Sequence, residues 1–443
     1  MELLDLVLSE YNLSQAITRV VKNKGSAGID GMSVEEGRSY FKEHKQEIIN
    51  AIKTRTYKPQ PVKRVEIPKP DGGIRNLGVP CVIDRIIQQA INQVLTPIFE
   101  EQFCDFSYGF RPNRDCHKAI NKSLEYLNEG YTVIVDIDLE KFFDKVNHDK
   151  LMQVLNNTII DSDLLSIIRK YLVSGIMING VVTSSTEGTP QGGNLSPLLS
   201  NVILNELDNE LMKRGLRFVR YADDCNIYVK SLRAGQRVME SITEFIETKL
   251  KLKVNKNKSK VDYCYNDIKF LGYGFYYSPR YEQIRVYVHS KSVKRIKDKL
   301  RKLTLRSWSI GMSFRLNKLR QVIIGWINYY LLADMKSIMT KLDTLIRHRL
   351  RMCIWKAWKT PSKRYRAIKK LVKLFKLNQK SNRQLRAIAN SGNRYCHLSS
   401  TVLNSVITNK ALETKGLISM TTYYTNCLNA RQTAIYGSVR MVV

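Results

Sequence analysis

Residues 217–230 read RFVRYADDCNIYVK, an apolar, β-branched run that breaks at Ala222-Asp223-Asp224 and resumes at once as a second run. Two adjacent acids in such a segment are expensive, because each loses hydration on burial and repels the other. The pattern predicts a β-hairpin with its acids at the turn and asks for a cation there. A second run, YTVIVDIDL at 131–139, is apolar except for Asp136 and Asp138, which alternate onto one face of a strand. Either can share a site with Asp223 and Asp224. Three carboxylates holding two Mg²⁺ ions roughly 4 Å apart suit a nucleoside triphosphate and a 3′-hydroxyl poised for in-line attack.

Working outward, helices are expected near 148–173, 195–214 and 233–250, which with the two runs gives α+β alternation around a mostly antiparallel sheet. Upstream, Ile86, Ile87, Ala90, Ile91, Val94 and Leu95 recur at helical spacing within 82–101. KPQPVKRVEIPKPDGGIR at 58–75 predicts a hairpin turning at Pro70–Gly73, with Lys69 and Arg75 on its flanks. The first 60 residues read as helical pieces interrupted by the glycine-rich loop NKGSAGIDG at 23–31. After about residue 290 strand signals fade. KSVKRIKDKLRKL and RLNKLRQVIIGWINYYLLADM are helical, and the stripe of Leu316, Leu319, Ile323, Trp326, Ile327 and Tyr330 reads as core.

Charge divides the chain. Residues 291–443 hold 33 Lys and Arg against Asp298, Asp334, Asp343 and Glu413, whereas the first 290 hold 39 basic and 36 acidic residues. Concentrated like charge repels itself, and a polyphosphate neutralises it, so the carboxy-terminal third is expected to bind nucleic acid. Lys363, Arg364 and Arg366 are candidate contacts. With 43% hydrophobic and 25% charged residues and no apolar stretch long enough for a membrane span, the composition is that of a globular protein away from the bilayer. The amino-terminal stretch lacks a basic n-region, so a cytoplasmic location is expected. Eight cysteines without a C-x-x-C pair argue against a zinc knuckle, and Cys396 beside His397 is an isolated pair.

YADD at 221–224 resembles the catalytic loop of reverse transcriptases. Residues 1 to about 430 resemble a bacterial group II intron-encoded reverse transcriptase and maturase of the compact kind that lacks an endonuclease domain. The resemblance rests on a series that joins YADD in chain order: the glycine loop at 23–31, RVEIPKPDGGIRNLGVP (64–80), YGFRPNR (108–114), VDIDLEKFFDKVNHDKL (135–151), GTPQGGNLSPLLSN (188–201), LKVNKNKSK (252–260), KFLGYGF (269–275) and GWINYY (325–330).

It implies an α+β right-hand polymerase, fingers and palm with an antiparallel sheet, followed by an all-helical thumb or maturase domain and a basic carboxy-terminal region. The expected boundaries are an amino-terminal extension at 1–60, fingers and palm at 61–289, thumb at 290–385 and a nucleic-acid-binding region at 386–443. In polymerases of this kind the metal-binding aspartate lies five residues before an aromatic beneath the incoming sugar. Asp138 with Phe143 has that spacing, whereas Lys141 follows Asp136 by five. The resemblance thus assigns two Mg²⁺ ions to Asp138, Asp223 and Asp224, with Asp136 as a neighbour. It also assigns deoxynucleotide selection to Phe143, triphosphate contacts to Lys69 and Arg75, nucleotide and template contact to Gln191, and leaving-group protonation to Lys258. Phe270, Leu271, Gly272 and Tyr273 would grip the primer end. The implied partners are intron RNA, an RNA template with a DNA primer, target DNA and deoxynucleoside triphosphates. Two other readings, a splicing chaperone with a decayed polymerase site and a retron-like or defence enzyme, are opposed by the intact acids and by the stretch around GWINYY.

Overall fold

The computed structural model describes residues 2–68, 72–178, 180–183, 187–189, 192–375, 381–391 and 400–440. Lys69, Gln191, Cys396 and His397 lie outside the described residues. Ten strands are present among those described: β1 (Val62–Pro68), β2 (Ile74–Val79), β3 (Val133–Ile137), β4 (Ile176–Ile178), β5 (Val181–Thr183), β6 (Arg217–Tyr221), β7 (Asp224–Val229), β8 (Lys260–Tyr263), β9 (Tyr273–Ser278) and β10 (Gln283–Val288). The chain divides into two compact units, one ending at Phe270 and the other beginning at Leu271.

In the first unit the expected fingers hairpin forms, β1 against β2 with Ile67 opposite Arg75, and β4 extends this sheet by a short parallel pairing to β1. A second sheet, in the order β6-β7-β3-β8, is antiparallel throughout. β3 lies between two neighbours because VIVDI is apolar on both faces, and Val133, Ile134, Val135 and Ile137 are buried. The helix Leu232–Lys249 packs across β3, β7 and β8. Gly235 permits that close approach, since a Cβ there would overlap the Val261 side chain. The region 148–173 forms two helices, His148–Asn156 and Ser162–Val173, because Asp161 caps the second by accepting from the backbone of Asp163 and Leu164. The amino-terminal helices Glu10–Lys22 and Val34–Glu43 pack on the helix Val82–Glu100.

The second unit opens with the antiparallel pair β9 and β10, and its other regular elements among the described residues are helices. The stripe on the helix Met312–Tyr329 is core except at one position: Leu316, Leu319, Ile323 and Ile327, with Tyr330 just beyond, are buried, whereas Trp326 is only half-buried. One expected surface cation is not on the surface. Arg364 is buried, its guanidinium carbon 4.9 Å from the Trp355 ring centroid and its Nε donating to the Trp358 carbonyl at 3.0 Å. The helical period of Pro361–Leu374 turns Arg364 inward with Ile368 and Leu371 and leaves Lys363 and Arg366 exposed. Asp343 is also buried and joins the helix Lys336–Ala357 to the start of Met420–Arg440, accepting from the backbone of Met420 at 2.8 Å and Thr421 at 3.1 Å. Among the described residues no helix is long and apolar enough to cross a membrane.

Candidate active site

β6 and β7 pair up to Tyr221 opposite Asp224, so Ala222 and Asp223 form the two-residue turn of a tight hairpin. Ala222 is left-handed, with φ of 57°, a conformation that hairpin turns require and that an alanine adopts only under constraint. β7 pairs Cys225 with Ile137, which places Asp138, the next residue of the chain, at the same end of the sheet as Asp223 and Asp224. Asp138 is held by the 252–260 segment: its N–H donates to Ser259 Oγ at 3.0 Å, and its carbonyl accepts from Asn255 N at 2.8 Å. The same segment brings Lys258 Nζ to 3.9 Å from Asp138 Oδ2.

The electrostatics match a site built for cations. Burial, then the charges of Asp223 and Asp138, push the Asp224 carboxyl up to about 6. Asp223 is also raised, chiefly by burial and then by Asp138, while Arg75 opposes the shift. Asp136 is pushed up to about 7 by burial first and by Asp224 second, with Lys260 pulling the other way. It faces Asn226 and Lys260 across the sheet, one residue inside the strand end. Among the described residues no three acidic, histidine or cysteine side chains converge on one metal-sized point. Carboxylates without a counterion repel, and the charge of Asp138 is felt at both Asp223 and Asp224. An all-oxygen donor set at the open end of a sheet fits hard divalent cations such as Mg²⁺.

Phe142 and Phe143 separate into two roles. Phe142 is buried, whereas Phe143 is half-buried with its ring edge-on to Phe142 at 5.2 Å between centroids. The segment leading to Pro190 is strapped to this corner: Thr189 N donates to the Phe143 carbonyl and Gly188 N to that of Val146, both at 2.7 Å. His148 completes the strap, with its Nε2 2.7 Å from the Gly188 carbonyl in a buried position. Sequence reading passed over His148, although a histidine opening a helix inside the VNHDKL run was its signal. Arg75 is exposed on β2 and lies within electrostatic reach of Asp223.

The four residues expected at the primer end are placed differently from one another. Phe270 is buried in the first unit. In the second unit, Leu271 and Gly272 are left-handed, and a Cβ at Gly272 would overlap the Tyr330 hydroxyl. Tyr273 is fully buried, its hydroxyl donating to the Tyr329 carbonyl. Of the four residues, Leu271 alone is partly exposed.

Residues 67–275 match the family described as reverse transcriptase (RNA-dependent DNA polymerase), and residues 293–372 match the group II intron, maturase-specific domain. Protein YkfC of Escherichia coli (strain K12) is 30% identical over 352 residues, covering 70% of this chain and 92% of that protein. The group II intron-encoded protein LtrA of Lactococcus lactis subsp. cremoris is 30% identical over 323 residues, 58% of this chain and 54% of its own length. This chain therefore spans about half of LtrA and nearly all of YkfC. Among solved structures, a partial Cas6-RT-Cas1–Cas2 complex aligns at 25% identity over 56% of this chain and 43% of that chain, with a TM-score of 0.36.

Proposed function

Since the chain belongs to the group II intron-encoded reverse transcriptases and maturases, we propose that Asp138, Asp223 and Asp224 hold its two Mg²⁺ ions and that synthesis of DNA on an RNA template takes place there. The observation that carries this reading is that the β3 end and the β6–β7 turn lie at the same end of one sheet, where burial and the charge of Asp138 raise both Asp223 and Asp224. When bound, such ions would polarise the triphosphate and make the primer 3′-hydroxyl a better nucleophile.

The other roles belong to this chain's own groups. Phe143, half-buried beside the site, excludes a 2′-hydroxyl by volume and so selects deoxynucleotides. Lys69 and Arg75 orient the triphosphate by charge, Arg75 from β2. Gln191 contacts nucleotide and template. Lys258, beside Asp138, hands a proton to the departing pyrophosphate. Phe270, Leu271, Gly272 and Tyr273 grip the primer end, as the resemblance implies. The expected partition into 1–60, 61–289, 290–385 and 386–443 is part of the same reading. So are the partners: intron RNA, held largely through phosphates and shape, an annealed RNA template and DNA primer, target DNA and deoxynucleoside triphosphates. Mobility would proceed by target-primed reverse transcription, and the work would be done in a bacterial cytoplasm.

A paired assay tests the assignment. Asp223→Asn is expected to abolish extension of a DNA primer on RNA while leaving RNA affinity and assisted excision of the cognate intron near the parent level, because holding RNA in shape draws on binding and not on the metal pair. Extension at close to the parent rate would overturn the ligand assignment. Loss of splicing together with synthesis, in a folded and RNA-binding variant, would overturn the separation of the two activities.

A further inference from the structure

Arg220, the residue before Tyr221, is fully buried, and so is its partner Asp208 on the helix Ser196–Lys213. Its guanidinium forks onto that carboxylate, Nε to Oδ1 at 2.7 Å and Nη2 to Oδ2 at 2.6 Å. The remaining nitrogen, Nη1, donates to Asn201 Oδ1 at 3.0 Å and to the Ala222 carbonyl at 2.9 Å. Asn201 in turn donates its Nδ2 to the Gly109 carbonyl at 2.9 Å. Gly109 sits so close to the turn that a Cβ there would overlap the Ala222 backbone nitrogen. Two backbone bonds seal the same contact, Arg220 N to the Phe106 carbonyl at 2.9 Å and Tyr108 N to the Arg220 carbonyl at 2.8 Å. One guanidinium thus ties together a helix, a strand, the 106–111 loop and the acidic turn.

Stability is a poor explanation for this ion pair. Burying two charges forfeits their hydration, and apolar side chains of similar volume commonly serve a core as well or better. What apolar substitutes would lack is the directed bond to the carbonyl of Ala222. That residue is left-handed, a strained conformation that persists only where surrounding structure imposes it. The two carboxylates that follow it repel each other, so without constraint the turn would relax to spread them.

We propose that Asp208, Arg220 and Asn201 are positioning residues, a buried clamp that holds the Ala222 peptide in its left-handed form and so presets Asp223 and Asp224 for metal binding. The proposal rests on the reading of those two aspartates as ligands. It implies that the fork of Arg220 matters as much as its charge, because a lysine cannot grip Asp208 with two bonds while also holding Asn201 and Ala222.

The test separates clamp from ballast in the full-length protein. The double variant Asp208→Leu with Arg220→Met removes the charges but keeps the volume, and Asn201→Leu removes only the bonds to Arg220 and Gly109. Thermal unfolding, kcat and KM for primer extension, and Mn²⁺ binding by electron paramagnetic resonance without nucleic acid are measured for each. The double variant is expected to melt at or above the parent temperature, yet to lose about 10- to 100-fold in kcat and in Mn²⁺ affinity with KM for primer-template little changed. Asn201→Leu should move both in the same direction by about tenfold. A stable double variant with parent-like kcat and Mn²⁺ affinity would overturn the clamp. Should the double variant fail to fold, parent-like values for Asn201→Leu would overturn it equally. An Asp223→Asn protein that extends primers normally would instead sink the ligand reading, whereas inactivity there with normal clamp variants sinks the clamp alone.

Discussion

Phe143 follows a left-handed Lys141, with φ of 48°, at the start of a four-residue helix, and that bend turns Phe142 into the core while leaving its neighbour half-buried. Adjacent aromatics on a helix point about 100° apart, so one can pack and the other can meet substrate. Exchanging Phe143 for Ala should therefore raise ribonucleotide incorporation relative to deoxynucleotide, with little loss of stability, since its ring is only partly packed. Phe142→Ala should do the reverse, destabilising by about 3–5 kcal/mol, as truncation of a buried Phe does. Single-nucleotide incorporation with matched ribo- and deoxynucleotides checks the first, and urea unfolding the second. Relaxed sugar selection in the Phe142 variant alone would show that the other ring is the gate.

At the scale of elements, the helix Val82–Glu100 carries a buried acid whose work is structural. Asp84 accepts from the Tyr57 hydroxyl at 2.7 Å and from Gln60 N at 3.1 Å, fastening the segment ahead of β1 to the helix. Burial outweighs these bonds and pushes its carboxyl from 3.8 up to about 6. A carboxyl raised in the folded state contributes stability that is complete below its unfolded value and is lost as pH rises through the folded one. The parent should accordingly lose ground to Asp84→Asn, which stays uncharged, between about pH 4 and pH 7, by up to about 3 kcal/mol. Chemical unfolding of both proteins at pH 4, 5.5 and 7 reads the difference. A gap that stays constant with pH would mean that Asp84 titrates as an ordinary carboxyl.

For the whole molecule the dominant quantity is charge, 33 basic residues against four acidic ones beyond residue 290. RNA affinity should fall steeply with salt, because each phosphate neutralised on a duplex contributes about 0.9 to the slope of log K against log salt. Lys363 and Arg366 are exposed on the helix Pro361–Leu374, so reversing both to Glu should flatten that slope by roughly two while leaving the melting temperature near the parent value. Arg364→Glu should behave oppositely. It places an acid against Trp355 and loses the bond to the Trp358 carbonyl, so the cost appears in stability before it appears in binding. Filter binding across a salt series, paired with thermal unfolding, distinguishes the two. An unchanged slope in the Lys363 and Arg366 double variant would place the RNA surface elsewhere.

Local pattern sufficed wherever the physics is local. The apolar run of β3, the acids at the β6–β7 turn and the proline- and glycine-bounded fingers hairpin were legible because burial on a strand, repulsion between neighbouring carboxylates and turn geometry act over a few residues. Charge asymmetry was legible for the same reason, being a sum that no fold can alter. Which of Asp136 and Asp138 stands at the sheet end came from resemblance and not from alternation, since both lie on one face. That Arg364 faces Trp355, that Tyr273 packs beneath Tyr329 and Tyr330, and that Arg220 joins Asp208, Asn201 and Ala222 depended on contacts between segments far apart in the chain. A cation in a basic tract and a cation in a buried clamp are the same letter. Only the tertiary structure decides which partners surround it and therefore whether its charge is spent on solvent, on RNA or on holding a turn.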